Sequence, residues 1–282
     1  MIKYQNCIDV EDRKIHEAFQ AGFSDYLVKM EFTCEEFIKR FFGAEGNERA
    51  YSYIAMDEDR PVGVILGGIK IYEGLKTMRC GTLCIDPSYR KEGIAEQLFS
   101  LHKSQALAQG CKQLFLEVIK GNDKAIKFYE KQGYQKMYDL KIFSLHNIDQ
   151  KVLGTSVKNI VPIALEQLSQ IRLNTIDTHL NWQNDIEFIE KVDGQLHFGY
   201  LDEGDVQGVI SANPMGRIHF LWVSSKSRGK GIASSLVTHV INHMELSNVT
   251  VTFPNHANLE GFYKHLGFKQ AELSQFEMYL TI

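Results

Sequence analysis

The sequence has few of the features that would cross-link a chain covalently or place it in a membrane. Only five of its 282 residues are cysteines, all in the first half, and they follow neither a paired disulfide pattern nor a zinc-ligand spacing. No apolar run reaches the length of a membrane-spanning helix, and the first residues lack the apolar segment of a signal peptide. We therefore expect free thiols, a cytoplasmic location and no membrane partner.

The chain also lacks a large excess of charge of either sign. The chain has 31 basic and 35 acidic residues and a net charge of −4, so no basic excess predicts a nucleic-acid partner. The one histidine pair at helical spacing, His239 and His243, fits a solvated helix face better than a metal site. We expect no metal.

What the chain does contain is one pattern that occurs twice. A short apolar run leads into Arg-Lys-Glu-Gly-Ile-Ala at Arg90–Ala95, and another leads into Arg-Gly-Lys-Gly-Ile-Ala at Arg228–Ala233. Each loop precedes a helical pattern, and each half later carries a Phe-Tyr pair and a Gly-aromatic pair. The repetition indicates an internal duplication. A glycine turn that opens a helix leaves backbone N–H groups free to bind an anion.

Both halves resemble the GNAT superfamily of acyl-CoA N-acyltransferases. The two Arg-x-x-Gly-x-Ala loops carry the resemblance, joined in the first half by Asn122, Ala125, Tyr129 and the Gly133-Tyr134 pair. The resemblance implies an α/β (α+β) fold of two tandem domains, each with a mixed, mostly antiparallel sheet flanked by helices.

The length of the chain suits two domains of ordinary size. A polar segment without strong periodicity lies near the middle and reads as a linker. We expect an N-terminal domain at 1–146, a linker at 147–159 and a C-terminal domain at 160–282.

The resemblance implies acetyl-CoA as co-substrate, with its pyrophosphate over each glycine loop. Backbone N–H groups would bind the phosphates, and the arginines would add charge. The implied cofactor residues are Ile85, Arg90, Lys91, Glu92, Gly93, Ile94, Ala95, Asn122 and Ala125 in the first half, and Val223, Arg228, Gly229, Lys230, Gly231, Ile232, Ala233 and Asn255 in the second. Asn122 also fits a plain helix cap.

Tyr129, and by position Tyr263, are candidate general acids. Coenzyme A leaves as a thiolate, and a phenol with a pKa near ~10 can donate a proton to a thiolate whose acid has a pKa near ~8.5. Both tyrosines also fit the role of a core aromatic. Glu117 and His219 are candidates for the group that removes the proton of the amine. Glu117 fits a structural carboxylate equally well.

The residues that bind the acceptor are the hardest to identify from the sequence. The first two helices of a GNAT-like domain form one wall of the acceptor site, so Asp25 and Tyr26, which lie between them, are candidate substrate contacts or ordinary loop residues. His219 is a substrate candidate in the second half.

The function that we expect is acetyl transfer from acetyl-CoA to a primary amine, on a small molecule or a peptide, by direct attack in a ternary complex. The first half is expected to be the catalytic one. A non-catalytic acyl-CoA sensor or scaffold and a protein or peptide N-acetyltransferase are the alternatives. The sequence leaves monomer and homodimer equally open.

Overall fold

The computed structural model describes residues 1–148, 159–175, 178–255 and 259–282. These residues form two compact units: Met1–Met137 with Phe276–Ile282, and Tyr138–Gln275. The predicted linker 147–159 lies almost entirely outside the described residues. Among the described residues, no helix combines the length and the apolar character needed to cross a membrane.

The helices and strands follow the predicted order closely. The strands are β1 (Ile2–Asn6), β2 (Glu48–Asp57), β3 (Arg60–Tyr72), β4 (Leu75–Ile85), β5 (Gln113–Ile119), β6 (Gln135–His146), β7 (Ile160–Pro162), β8 (Leu196–Asp202), β9 (Asp205–Ala212), β10 (Arg217–Val223), β11 (Asn248–Pro254), β12 (Lys269–Gln270) and β13 (Gln275–Thr281). The helices are α1 (Asp12–Gly22), α2 (Cys34–Lys39), α3 (Ile94–Ala108), α4 (Asp123–Lys131), α5 (Leu165–Leu173), α6 (Ile186–Ile189), α7 (Ile232–His243) and α8 (Glu260–His265).

The first unit is a sheet with helices on both faces. Its strand order is β1-β2-β3-β4-β5-β13, and β4 and β5 run parallel whereas β1 to β4 are antiparallel. One apolar cluster contains Leu98 of α3 and Ile126 of α4, and another contains Phe19 of α1 and Phe37 of α2. Helix α2 begins at a capping box, in which Thr33 and Glu36 exchange hydrogen bonds.

The second unit has the same plan. Its strand order is β6-β11-β10-β9-β8-β7, and β10 and β11 are its parallel pair. Helix α7 covers one face through Leu236 and Val240, and Leu168 of α5 with Ile189 of α6 belongs to a separate cluster. The mixed, mostly antiparallel sheet flanked by helices in each unit confirms the predicted fold class.

In both units the parallel strands separate at their carboxyl ends. The β4–β5 ladder joins Thr77–Arg79 to Gln113–Phe115, although both strands continue further, and the register of β4 on β3 shifts at Gly81. The register of β10 on β9 shifts at the corresponding position, His219. The bulge bends the strand in each unit, and the paired part of the two parallel strands ends before the glycine loop.

Each unit contains a strand from the other half of the sequence, which the expected boundaries 1–146 and 160–282 do not include. β13 belongs to the first unit, where Met278 is fully buried and the Ile282 N–H donates to Lys112 O at 3.1 Å. Tyr138–His146 of β6 belongs to the second unit and pairs with β11. Periodicity identifies a strand but not the sheet that it joins, so the sequence could not show this exchange.

The position of β13 predicts that a change at the chain's C-terminal end destabilises the first unit. Met278→Ala removes a fully buried side chain from that core and should cost about 2–5 kcal/mol. Met215→Ala is the matched control, because Met215 is 90% exposed, and it should cost less than about 0.5 kcal/mol.

Hydrogen exchange resolved by peptide measures the effect in each unit separately. Met278→Ala should speed exchange in β5. Faster exchange confined to β11, or equal stability of the two variants, would contradict the placement of β13.

Candidate functional site

The two glycine loops have nearly the same backbone. Arg90 and Arg228 are extended, and Gly93 and Gly231 precede their helices with φ of 79° and ψ of 6° and 2°. A Cβ atom on either glycine would meet no described atom within 4 Å. The left-handed turn therefore selects glycine, and the first N–H groups of α3 and α7 face open space, as an anion site requires.

One loop residue is strained in the first unit and relaxed in the second. Lys91 has a φ of 70°, and Gly229 has a φ of 76° at the same place in its loop. A left-handed conformation costs a residue with a side chain about 1–2 kcal/mol. The first loop keeps the same shape despite that cost, and this strain could not be predicted from the sequence.

Arg90 forms more hydrogen bonds within the protein than its predicted role as a cofactor contact implies. Its Nε donates to Ile85 O at 3.1 Å, and its two terminal nitrogens each donate to the Asp25 carboxylate at 2.7 Å. One terminal nitrogen also donates to Gly22 O at 3.2 Å. Arg228 repeats only the first of these contacts, from Nε to Val223 O at 3.2 Å. Asp25, predicted as a substrate contact, is thus the ion-pair partner of a predicted cofactor residue, and these hydrogen bonds lower its pKa.

A cavity of about 660 Å³ in the first unit brings most of the predicted residues together. It is lined by the loop between α1 and α2, the end of β4, the glycine loop and the first turns of α3 and α4. The predicted residues in its wall are Asp25, Tyr26, Ile85, Arg90, Lys91, Gly93, Ile94, Ala95, Asn122, Ala125 and Tyr129. Glu92 is exposed and does not line it.

Sequence reasoning missed other residues in the wall, including Phe23, Leu27, Cys84, Tyr89, Glu96 and Lys124. They come from the same segments as the predicted residues. The signal that would have found them is their position one or two residues from a predicted contact.

Tyr129 lies in the wall of the cavity with its side chain almost fully buried. Its hydroxyl is 3.8 Å from the Sγ of Cys80, and its ring packs against Phe128 and Tyr134. Burial, more than the neighbouring Cys80, raises the pKa of Tyr129 well above its usual value. Tyr129 is therefore protonated at neutral pH. It is both a core aromatic and a cavity residue, so the two readings of the sequence are compatible.

Asn122 acts as the helix cap that the sequence allowed. Its Oδ1 accepts from the Ala125 N–H at 3.2 Å at the start of α4, and Asn122 and Tyr26 line the same cavity. Asn255 differs: it exchanges hydrogen bonds with the backbone of Asp139 at 2.8 and 3.2 Å. The cap of α8 is Leu259, with no side-chain hydrogen bond, so Asn255 does not repeat the role of Asn122.

Glu117 lies outside the cavity wall, contrary to its candidacy as a base. It is an ion-pair partner of Arg79 at 2.7 Å, and the other terminal nitrogen of Arg79 contacts Glu45 at 2.7 Å. All three side chains are nearly inaccessible to solvent. A carboxylate held by a buried guanidinium is stabilised in its charged form and is a poor proton acceptor. The structural reading of Glu117 therefore fits the structure better.

In the second unit, His219 and Tyr263 are both buried. Burial, together with the charge of Arg217, lowers the pKa of His219 to about 3, so a neutral His219 is only a weak base at pH 7. Tyr263 stacks on Phe253 and contacts Phe268, and burial raises its pKa well above the usual value. Residues 256–258, which precede α8, lie outside the described residues.

Comparison with known proteins gives the same result for both halves. The model of the Acetyltransferase (GNAT) family matches residues 13–134, and the model of the Acetyltransferase (GNAT) domain matches residues 166–281.

Two curated relatives match part of the chain. N-alpha-acetyltransferase 30 of Schizosaccharomyces pombe is 28% identical over 116 residues, 40% of this chain and 75% of that protein. An acetyltransferase of Sodalis glossinidius is 36% identical over 74 residues, 26% of this chain and 49% of that protein.

Two solved structures share the whole fold at low identity. A GCN5-related N-acetyltransferase from Sphaerobacter thermophilus has a TM-score of 0.72 and 13% identity, covering 99% of this chain and 95% of its own. A tandem GNAT protein from the clavulanic acid biosynthesis pathway has a TM-score of 0.70 and 13% identity, covering 100% and 98%. With a GNAT model matching each half, the chain belongs to the GNAT family of acetyltransferases, which take their acetyl group from acetyl-CoA.

Proposed function

We propose that this protein transfers the acetyl group of acetyl-CoA to a primary amine in the cavity of the first unit, by direct attack in a ternary complex. One observation carries the proposal: a single cavity is lined by the glycine loop, by Asn122 and by Tyr129. A phosphate site and a proton donor in one cleft are what a thioester donor needs.

Different residues of this cavity bind different parts of acetyl-CoA. The N–H groups from Gly93 to Ala95 bind the pyrophosphate, where Lys91 and Lys124 add positive charge to the wall. The side chain of Asn122 hydrogen-bonds the pantetheine arm. The thioester then lies toward Tyr129.

In the chemical step the amine nitrogen attacks the thioester carbonyl, and the carbon–sulfur bond breaks. The thiolate accepts a hydrogen bond, and then a proton, from the hydroxyl of Tyr129. The proton that the attacking nitrogen loses as the amide forms passes through water and restores the Tyr129 hydroxyl. Because burial raises the pKa of Tyr129, complete transfer to a thiolate is uphill by about 1.4 kcal/mol per pKa unit. Tyr129 therefore contributes chiefly while negative charge develops on sulfur.

The amine must reach the carbonyl without its ammonium proton. Since Glu117 is held by Arg79 outside the cavity, we assign proton removal to water, acting on the amine before attack. The value of kcat/KM then rises with pH toward the acceptor's own pKa. Ionisation of Tyr129 does not lower kcat/KM below about pH 10, because the pKa of Tyr129 lies above that of a free phenol.

One of the comparisons bears on the identity of the acceptor. The similarity to an N-alpha-acetyltransferase favours a peptide N-terminus as the second candidate acceptor beside small amines. Thiol release from acetyl-CoA, measured with a panel of small primary amines and of peptides with free N-termini, separates the two. A protein that binds acetyl-CoA but releases no thiol with any of them is the sensor that the sequence also allowed.

The glycine loop assignment is tested by adding a side chain and a charge to it. Gly93→Asp should weaken acetyl-CoA binding to the first unit by at least about tenfold, because ~1.4 kcal/mol of repulsion from the pyrophosphate is a factor of ten. Gly231→Asp is the matched variant, with the same backbone angles in the second unit.

Calorimetric titration of the full chain measures both variants, with turnover as the second readout. Gly93→Asp should abolish turnover, and Gly231→Asp should leave most of it. The reverse pattern would place the active site in the second unit.

The role of the phenol is tested by removing one oxygen. Tyr129→Phe keeps the ring packing against Phe128 and Tyr134, and kcat should fall by roughly 10²–10⁴-fold with little change in acetyl-CoA affinity. Tyr263→Phe is the control in the second unit and should keep near-normal turnover. Wild-type activity in Tyr129→Phe would reduce Tyr129 to a packing residue.

A further inference from the structure

Two consecutive residues of the loop between α1 and α2 lie beside the two side chains that are assigned to the cofactor. Asp25 accepts hydrogen bonds from both terminal nitrogens of Arg90. The neighbouring Tyr26 lines the cavity with Asn122, and the pKa of Tyr26 is raised by burial and lowered by the Asn122 side chain. The loop thus contacts the cofactor machinery at the phosphate end and at the start of α4. All four residues line the same cavity.

Hydrogen bonds within the protein occupy most of the donors of Arg90. Four of its five N–H groups donate within the protein: one to Ile85 O, one to Gly22 O and two to Asp25. A pyrophosphate at this loop meets a guanidinium already neutralised by a carboxylate. One N–H group remains, so a phosphate must displace Asp25 to bind Arg90 through both terminal nitrogens.

The loop that carries Asp25 is held close to the sheet at its base. A Cβ on Gly22 would lie 2.5 Å from the Sγ of Cys84, so this glycine permits the end of α1 to approach β4. Beyond it, the rings of Phe23 and Tyr26 pack edge to face at 4.7 Å. Asp25 itself is 54% exposed, which leaves the carboxylate free to exchange partners without unfolding the helix.

The second unit serves as an internal comparison. Arg228 keeps the backbone contact to Val223 O, and in the described part of the chain it forms no ion pair. The backbone contact is therefore common to both loops, whereas the carboxylate partner is particular to the first. The shape of the loop does not require Asp25.

We propose that Asp25 is a positioning residue that competes with the cofactor's pyrophosphate for Arg90. Pyrophosphate binding draws Arg90 from Asp25 and frees the acceptor-side loop at residues 23–27 to move. Asp25 thereby weakens cofactor binding, and it holds that loop only while the cofactor is absent. The inference rests on the proposed function, because it requires acetyl-CoA at the first loop.

Asp25→Asn tests the competition, because it keeps the size of the side chain and removes its charge. The full chain carrying it should bind coenzyme A roughly two- to fivefold more tightly, the range of a partly exposed ion pair. The gain should shrink at high salt, where exposed charges are screened. At saturating acetyl-CoA, kcat/KM for the acceptor amine should stay close to the wild-type value, because the ion pair is already broken in that complex.

Tighter coenzyme A binding with an unchanged kcat/KM for the acceptor distinguishes this role from a merely structural one, which would weaken both. Asp25→Glu retains the charge and should resemble wild type, and Asp25→Ser should repeat the effect of Asp25→Asn. Tyr26→Phe alters the same loop without altering Arg90, and it should give no salt-dependent gain in coenzyme A affinity. Melting temperatures check that all variants are folded.

The outcomes separate this inference from the proposed function. Equal or weaker coenzyme A binding by Asp25→Asn, in a protein whose wild type binds coenzyme A and loses it with Gly93→Asp, overturns the competition alone. A wild type that does not bind coenzyme A overturns the proposed function and the competition together.

Discussion

A strand that ends at Ile85 and a helix that begins at Ile94 are joined by a turn in which Gly93 has a φ of 79°. That turn directs the free N–H groups of α3 outward, and the bulge at Gly81 bends β4 before it, where the pairing of β4 with β5 has ended. The roles assigned to Arg90, Asn122 and Tyr129 depend on where these residues lie around this turn. The turn at Gly231 has the same geometry, so what distinguishes the two units lies around the loops and not in them.

The helices that follow the parallel strands show how the two halves have diverged. In the described residues, α4 has nine residues and a side-chain cap, whereas α8 has six residues and no side-chain cap. A shorter, uncapped helix is a weaker support for a catalytic phenol. These contrasts support catalysis in the first unit.

Much of this structure could be predicted because its signals are local. The Arg-x-x-Gly-x-Ala loops, the capping box at Thr33 and the apolar strands each appear in neighbouring residues, and the structure confirms the fold that they imply. The ion pair between Asp25 and Arg90, the Arg79 contacts and the exchange of β13 could not be predicted. Each of these features joins residues far apart in sequence. The sequence around a charged side chain does not show which distant residue it will contact.

Hydrogen–deuterium exchange of the full chain with and without acetyl-CoA tests the central claim most directly, because it locates the cofactor without altering a residue. The account predicts slower exchange across Lys91–Leu98 and across Asp123–Tyr129, the segments whose N–H groups or side chains face the cavity of the first unit. Unchanged exchange in both segments at saturating acetyl-CoA, with slower exchange confined to Gly229–Leu236, would contradict it.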